Sequence, residues 1–328
     1  MKKILIATLA TVAMVACSND ELISQAAPEA ITFDTFVENS TRAAYDGSYT
    51  NATLASFQVY GTVTGTGQGE ETANIFNGVE VGKSVSGENV TWTYDSAYTQ
   101  YWIPGNNYAF FAIADGNVAN ATKVELNDVN MPVEIKVNDA SQQRDVLTAD
   151  ASVVNYVKTA NGTNVAFTFK HIMSKARFTF KNTIAVNTGY SYKVTNVEIL
   201  NAPKAGVYTI TDGANGTWAF GNGTYVLAFG DVVANGKASE FEGAFDLVYN
   251  TSAESNFDRL LIPGQQSLEI EFDYQLFKDG KVIDTQTITT RADVELNAGR
   301  AYNFVINLRE PGDPITFSLE TITNWVNE

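Results

Sequence analysis

Short runs in which apolar and polar residues alternate recur along most of this chain, and that two-residue period belongs to strands. The clearest runs lie in the second half. Leu268, Ile270, Phe272, Tyr274 and Leu276 alternate with Glu269, Glu271, Asp273 and Gln275, and Lys278-Asp279-Gly280-Lys281 then reads as a hairpin turn into Val282. Tyr302, Phe304, Ile306 and Leu308 alternate with Asn303, Asn307 and Arg309, with Val305 out of phase. Half-buried antiparallel sheets produce this alternation. Since no segment of helical period matches it in strength, the pattern predicts an all-β fold of two β-sandwiches joined near residue 160.

The first half carries weaker versions of the same signal. Ile31 to Val37 predicts a strand with Ile31, Phe33 and Val37 on one face, and Ala55 to Tyr60 predicts a second, with Phe57 and Val59 inward. Thr64 to Gly87 is Gly-rich and acidic and predicts a hairpin with a loop. Trp92, Tyr94, Tyr98, Tyr101, Trp102, Tyr108, Phe110 and Phe111 crowd together, which suits a sandwich core better than an exposed platform for sugars. Between Val165 and Phe180 the alternation changes phase at His171 and Ile172, so a bulge or a bend between two packed surfaces is expected there. Near the end, Ile315, Phe317 and Leu319 alternate, and Ile322 and Trp325 stay apolar almost to Glu328, which predicts a terminal strand that docks on its own domain or on another molecule.

The start of the chain changes the picture from fold to address. Lys2 and Lys3 precede 13 apolar or small residues, Ile4 to Ala16, and the run ends at Cys17, the sole cysteine. This is the pattern of a secretory signal with a lipoprotein-type cleavage site, and it is shorter than the roughly 20 residues a transmembrane helix needs. Residues 1–16 therefore read as the signal and Cys17 as the lipidated first residue. Disulfides and cysteine-based metal sites are excluded once that thiol is acylated. Asp20 and Glu21, just after it, suit a surface-exposed tether that continues to about Ala30.

Loss of Lys2 and Lys3, with no acidic residue, takes the formal charge from -16 to -18, so nucleic acid is an improbable partner. A single histidine, His171, rules out histidine-rich metal sites and reads as a structural residue; no metal and no cofactor are expected. The carboxylates Glu269, Glu271 and Asp273 form a solvated strand face, with no recognisable glycosidase pair, so no enzyme is expected. Asp128-Val129-Asn130 reads as a turn, lacking a calcium ligand series, and Asp95-Ser96-Ala97 fits a short O-glycosylation pattern at Ser96.

Taken in order, several landmarks resemble the fimbrillin-like family of Bacteroidetes, the lipoprotein-derived pilins of type V fimbriae. They are the lipobox ending in Cys17, Ile31-Thr32-Phe33 leading to Thr41-Arg42-Ala43, Ser56-Phe57-Gln58-Val59-Tyr60, Trp92-Thr93-Tyr94 with Tyr101-Trp102-Ile103-Pro104, Phe167 to Lys175, and Leu261-Ile262-Pro263-Gly264-Gln265. The resemblance implies two tandem transthyretin-like (Greek-key) β-sandwiches, here 43–160 and 161–328, preceded by a lipidated tether and removable first strand at 17–42. It also implies trimming by an arginine-specific protease, with Arg42 and Ala43 at the matching position.

On that basis Ile31, Phe33, Phe36 and Val37 would fill a slot in the first domain, worth about 6 to 12 kcal/mol gross if all four are buried. Removing the strand would expose an apolar slot and two unpaired edges that another chain can fill by strand addition. The candidate donor is the C-terminal strand 315–326, carrying Ile315, Phe317, Leu319, Ile322 and Trp325. The implied partners are neighbouring fimbrial subunits, the protease, outer-membrane lipid through Cys17 and a host or bacterial surface ligand. The expected location is the outer membrane and cell surface, then the fimbrium. The alternatives are a surface glycan-binding lipoprotein using Trp92, Tyr101, Trp102 or Trp218 and, within the same family, a tip or anchor subunit that is not polymerised as stalk.

Overall fold

The structure is a computed structural model, and it describes residues 28–37, 53–66, 71–87, 89–114, 122–158, 162–184, 189–233, 247–248, 251–255, 257–310 and 313–322. It is all-β apart from two single 3-10 turns among the described residues. The first half comprises β1 (Thr32–Val37), β2 (Ser56–Thr64), β3 (Thr72–Ser86), β4 (Asn89–Thr93), β5 (Asn107–Ala114), β6 (Thr122–Leu126), β7 (Pro132–Val137), β8 (Leu147–Val153) and β9 (Asn164–His171). The second comprises β10 (Ser174–Asn182), β11 (Tyr190–Pro203), β12 (Gly206–Asp212), β13 (Asn215–Phe220), β14 (Thr224–Gly230), β15 (Val232–Val233), β16 (Ser252–Ser255), β17 (Arg259–Leu261), β18 (Gly264–Lys278), β19 (Lys281–Leu296), β20 (Ala301–Leu308) and β21 (Thr316–Ile322).

In the first half the hydrogen bonds close into a barrel, in the order β1-β4-β3-β2-β5-β8-β9. Its interior is aromatic, with Phe57, Phe76, Phe110, Phe167 and Phe169 buried together with Trp92 and Trp102. Gly61, in the middle of β2, makes room for two of these rings: a Cβ there would lie 2.9 Å from Phe110 Cδ1 and 3.0 Å from Phe76 Cδ2. Gly61→Ala is accordingly expected to cost about 1 to 3 kcal/mol through overpacking, read as a lower urea midpoint.

The second half packs β15-β16-β10-β20-β21, with β17 beside β10, against β14-β11-β18-β19. The alternating residues Leu268, Ile270, Phe272, Tyr274 and Leu276 all face the core between these sheets, as do Tyr302, Phe304, Ile306 and Leu308. Asp279 and Gly280 both have positive φ, 48° and 77°, and Lys278 pairs with Lys281, so the expected two-residue turn joins β18 to β19. The stretch predicted as a hairpin with a loop is instead mostly β3, whose 15 residues pair with both β2 and β4.

The phase change at His171 and Ile172 marks the crossing between the two halves. β9 ends at His171 inside the barrel and β10 begins at Ser174 in the next sheet. The division expected at residue 160 falls before β9, whereas the barrel includes that strand. A further sheet, β13-β12-β7-β6, takes two strands from each half, with Gly206 to Thr209 pairing with Val137 to Glu134. A separate apolar cluster lies at this junction, including Tyr60, Phe111, Ile135, Ile172, Met173, Tyr208 and Ile262.

Tyr225 ties the halves together, its hydroxyl donating to the Ala140 carbonyl (3.1 Å) and accepting from Gln143 Nε2 (3.1 Å). Burial pushes its phenol up to about 12, and burial likewise brings Tyr192 to about 12. Both values lie above the ordinary 10, so the folded chain holds these protons longer than the unfolded chain. Their contribution is complete below pH 10 and is lost as the pH rises towards 12. Alkaline titration should therefore show tyrosinate absorbance lagging behind that of the urea-unfolded chain, with stability falling across that window.

Candidate functional site: the slot filled by the first strand

β1 is the closing strand of the barrel. It pairs in parallel with β9, from Thr32 opposite Asn164 to Val37 opposite Phe169, and meets β4 antiparallel at Phe33 and Trp92. Among the described strands β4 and β9 share no ladder with each other, so lifting out β1 opens one seam and leaves the other ladders intact.

The inward residues are Ile31, Phe33 and Val37, all buried. Phe33 sits among five rings, stacked on Phe167 (centroids 5.8 Å, planes 11° apart) and edge-on to Phe57, Phe76, Tyr94 and Phe110. Phe36 corrects the expectation: it is 53% exposed. Strand geometry makes this unavoidable, because consecutive side chains point to opposite faces and Val37 points in. Three buried side chains rather than four reduce the gross contribution of the strand to about 5 to 9 kcal/mol.

Polar contacts fasten the start of the strand. The Ile31 N–H donates to the Gln100 carbonyl (2.8 Å), the Trp102 N–H donates to the Glu29 carbonyl (2.9 Å), and the Tyr94 hydroxyl donates to the Ile31 carbonyl (2.6 Å). The Glu29 carboxylate accepts from the Tyr156 hydroxyl (2.8 Å) and from the Thr163 N–H, and the Thr32 hydroxyl donates to the Asn164 side-chain oxygen. Burial raises the Tyr156 phenol, and the bond to Glu29 raises it further. Glu29, Tyr156 and Asn164 escaped the sequence reading because they lie at strand ends, outside any alternating run. The usable signal was that Glu29 lies two residues before Ile31 and so on the same face.

β21 is docked on its own domain, antiparallel to β20 at the sheet edge, with Phe317 opposite Ile306 and its ring 5.8 Å from Phe304. Ile315, Phe317 and Leu319 are half-buried against the core of that domain. Ile322 ends the strand, while Trp325, like Cys17, Arg42 and Ala43, lies outside the described residues. The structure does not bring Trp92, Trp102 and Trp218 together as a sugar platform. Trp92 and Trp102 are buried in the barrel core, and half-buried Trp218 donates Nε1–H to the Ile172 carbonyl in the junction. Tyr101 alone of the four proposed sugar contacts is exposed. Ser96 is exposed at the start of a 3-10 turn, which Asp95 caps by accepting from the Ala97 N–H (2.9 Å).

The profile of the fimbrillin-like family matches residues 41–325. The chain belongs to the fimbrillin-like family. The match spans the barrel beyond β1 and the whole second half, so the sheets described above are those of a fimbrillin-like protein. Two solved structures share the fold. A fimbrial protein from Bacteroides vulgatus superposes with a TM-score of 0.62 at 16% identity, covering 91% of this chain and 100% of its own. A cell adhesion protein described as such only by assignment, from Bacteroides ovatus, gives 0.54 at 17% identity, covering 92% and 100%. No curated protein matches this fimbrillin-like chain. Family membership supports a fimbrial subunit, part of a cell-surface appendage that contacts other subunits.

Proposed function

We propose that this chain is a structural, non-catalytic subunit of surface fimbriae that is exported as a lipoprotein through Cys17, trimmed after Arg42 and polymerised by strand exchange. The observation that carries the reading is β1 itself: a strand that bridges β4 and β9 in the barrel, adds three buried apolar side chains with Ile31 just before it, and lies between the lipid site and Arg42. The family match beginning at residue 41, past β1, supports the same division. Cutting after Arg42 frees the body from the lipid and leaves β1 held without a covalent link. Its loss presents the apolar slot and two unpaired edges to a second subunit. Because donor and slot are different surfaces, repetition builds open filaments. Adhesion through such filaments, from an outer-membrane starting point, follows as the cellular role.

The test is to incubate the purified chain with an arginine-specific protease and compare it with Arg42→Ala. The expected result is an N-terminus at Ala43 and ladders that survive detergent in the cleaved chain only. Ladders of equal strength in Arg42→Ala, or a cleaved chain that stays monomeric, would sink the proposal.

A further inference from the structure

One end of the barrel carries a group of apolar side chains that neither the core nor the slot uses. Tyr98, Tyr101, Ile103, Val154 and Val157 are between 48% and 77% exposed, and exposed apolar residues gathered on one surface mark a contact site. They stand on two loops that are laced together. The Gly105 N–H donates to the Tyr156 carbonyl (2.8 Å), the Tyr156 N–H donates to the Asn106 carbonyl (2.9 Å), and the buried rings of Trp102 and Tyr156 stack with centroids 4.7 Å apart. The exposed residues are the outward neighbours of this buried pair: Tyr101 and Ile103 flank Trp102, and Val157 follows Tyr156.

This is also the end at which β1 begins. The Trp102 N–H donates to the Glu29 carbonyl and Ala30 forms a bridge with Tyr101, so the chain that precedes Pro28 is attached beside the patch. β1 then runs parallel to β9 towards the other end, where Val37 lies opposite Phe169, two residues before β9 ends at His171 and the chain crosses to the second half. The patch is therefore at the free end of the barrel, remote from that crossing.

We propose that this end of the barrel rests on the lipid bilayer that holds Cys17, with Tyr98, Tyr101, Ile103, Val154 and Val157 in its headgroup layer. This rests on the lipoprotein reading above and goes beyond it, since a lipid on a tether fixes no orientation. Residues 18–27 separate Cys17 from Pro28, so the tether reaches at most about 40 Å and holds the patch near the surface at high effective concentration. Tyrosine suits that layer, having an apolar ring and a wet hydroxyl. The local charge agrees. Residues 98–106 and 152–158 include no carboxylate, and Lys158 is their one charged residue, in a chain with 37 Asp and Glu. Of the carboxylates at this end, Glu29 accepts from Tyr156 and Asp95 from the Ala97 N–H, which leaves Glu71 at the rim. Cleavage after Arg42 removes the tether, and with it the effective concentration that keeps so small a patch seated, so the body lifts off.

The test uses the mature, uncut chain with a polyhistidine tag in the place of Cys17, held on phosphatidylcholine vesicles that contain nickel-chelating lipid and nitroxide-labelled acyl chains. A fluorophore is attached through Val154→Cys in the patch, or through Val90→Cys, which is exposed beside the turn from β3 to β4 at the opposite end of the barrel. The expected result is blue-shifted emission and nitroxide quenching at Val154 and neither at Val90. Adding Ile103→Ser and Val157→Ser should lower the docked-to-undocked ratio read at Val154 by about tenfold or more, because fully burying one such side chain counts for roughly that factor. Circular dichroism confirms that the substituted chain is folded.

Quenching at Val154 no greater than at Val90, or quenching that the two serines leave unchanged, overturns the membrane contact while leaving lipidation at Cys17 standing. Emission at Val154 that is already blue-shifted without vesicles and reverts on dilution shows a second copy of the chain on the patch, and also overturns the proposal. Lipidation is read separately, from the mass of the N-terminal peptide of the native chain recovered from membranes. An unmodified Cys17 there removes the tether and overturns both readings.

Discussion

Phe33→Ala is expected to destabilise the barrel by about 3 to 5 kcal/mol, the range for truncating a buried phenylalanine. The ring lies at the centre of five others, and β1 closes the barrel, so the cavity opens where the sheet has its seam. Thermal unfolding followed by near-ultraviolet circular dichroism should show a midpoint lower by roughly 10 °C. Phe36→Ala is the matched control. It removes the same group from the outer face of the same strand and should change stability by no more than about 0.5 kcal/mol. Equal losses from the two substitutions would mean that β1 does not seat with Phe33 inward. Under the strand-exchange proposal the first variant should also shed β1 faster once cleaved.

The second large effect is expected at the junction of the two halves. His171 Nδ1 lies 2.7 Å from Asp145 Oδ2, with both side chains almost wholly buried. Removing one member of this buried hydrogen-bonded pair leaves a polar atom of the other without that partner, so Asp145→Ala should cost about 1 to 3 kcal/mol. Replacing both with apolar residues, Asp145→Val with His171→Leu, should recover much of that loss, because neither polar group is then buried without its partner. Urea unfolding of the two single variants and the double variant measures the coupling. A double variant as unstable as the sum of the singles would show that the two side chains act independently. The histidine that could have suggested a metal site is a structural partner of one carboxylate in this fold.

β18 and β20 were legible because each has one face on the core and one towards solvent, which writes a two-residue period into the sequence. The hairpin at Asp279-Gly280 was legible because both residues must adopt positive φ, which few residue types tolerate. Phe36 was misplaced by hydrophobicity, although the period that placed Ile31, Phe33 and Val37 inward already put residue 36 outside. β3 was obscured because its glycines and carboxylates resemble a loop, while ladders on both sides hold it as a strand.

The parallel pairings of β1 with β9 and of β10 with β20 were not legible at all. Alternation reports which face of a strand is buried, not which strand lies beside it or in which direction. The same limit hid the sheet shared by β6, β7, β12 and β13, whose members come from both halves of the chain. Glu29 was invisible for a related reason: its role depends on Tyr156 and Thr163, more than a hundred residues away, being brought to the mouth of the slot.

By itself, then, the amino-acid sequence determined the strand class, the inward faces of the long strands and the acidic, cysteine-poor character of the chain. These follow from local periodicity and from the chemistry of single residues. Only the tertiary structure decided that β1 bridges β4 and β9 in the barrel, that Phe33 rather than Phe36 fills it, and that Glu29 fastens it. Those properties arise from pairings between distant segments, which no local pattern encodes.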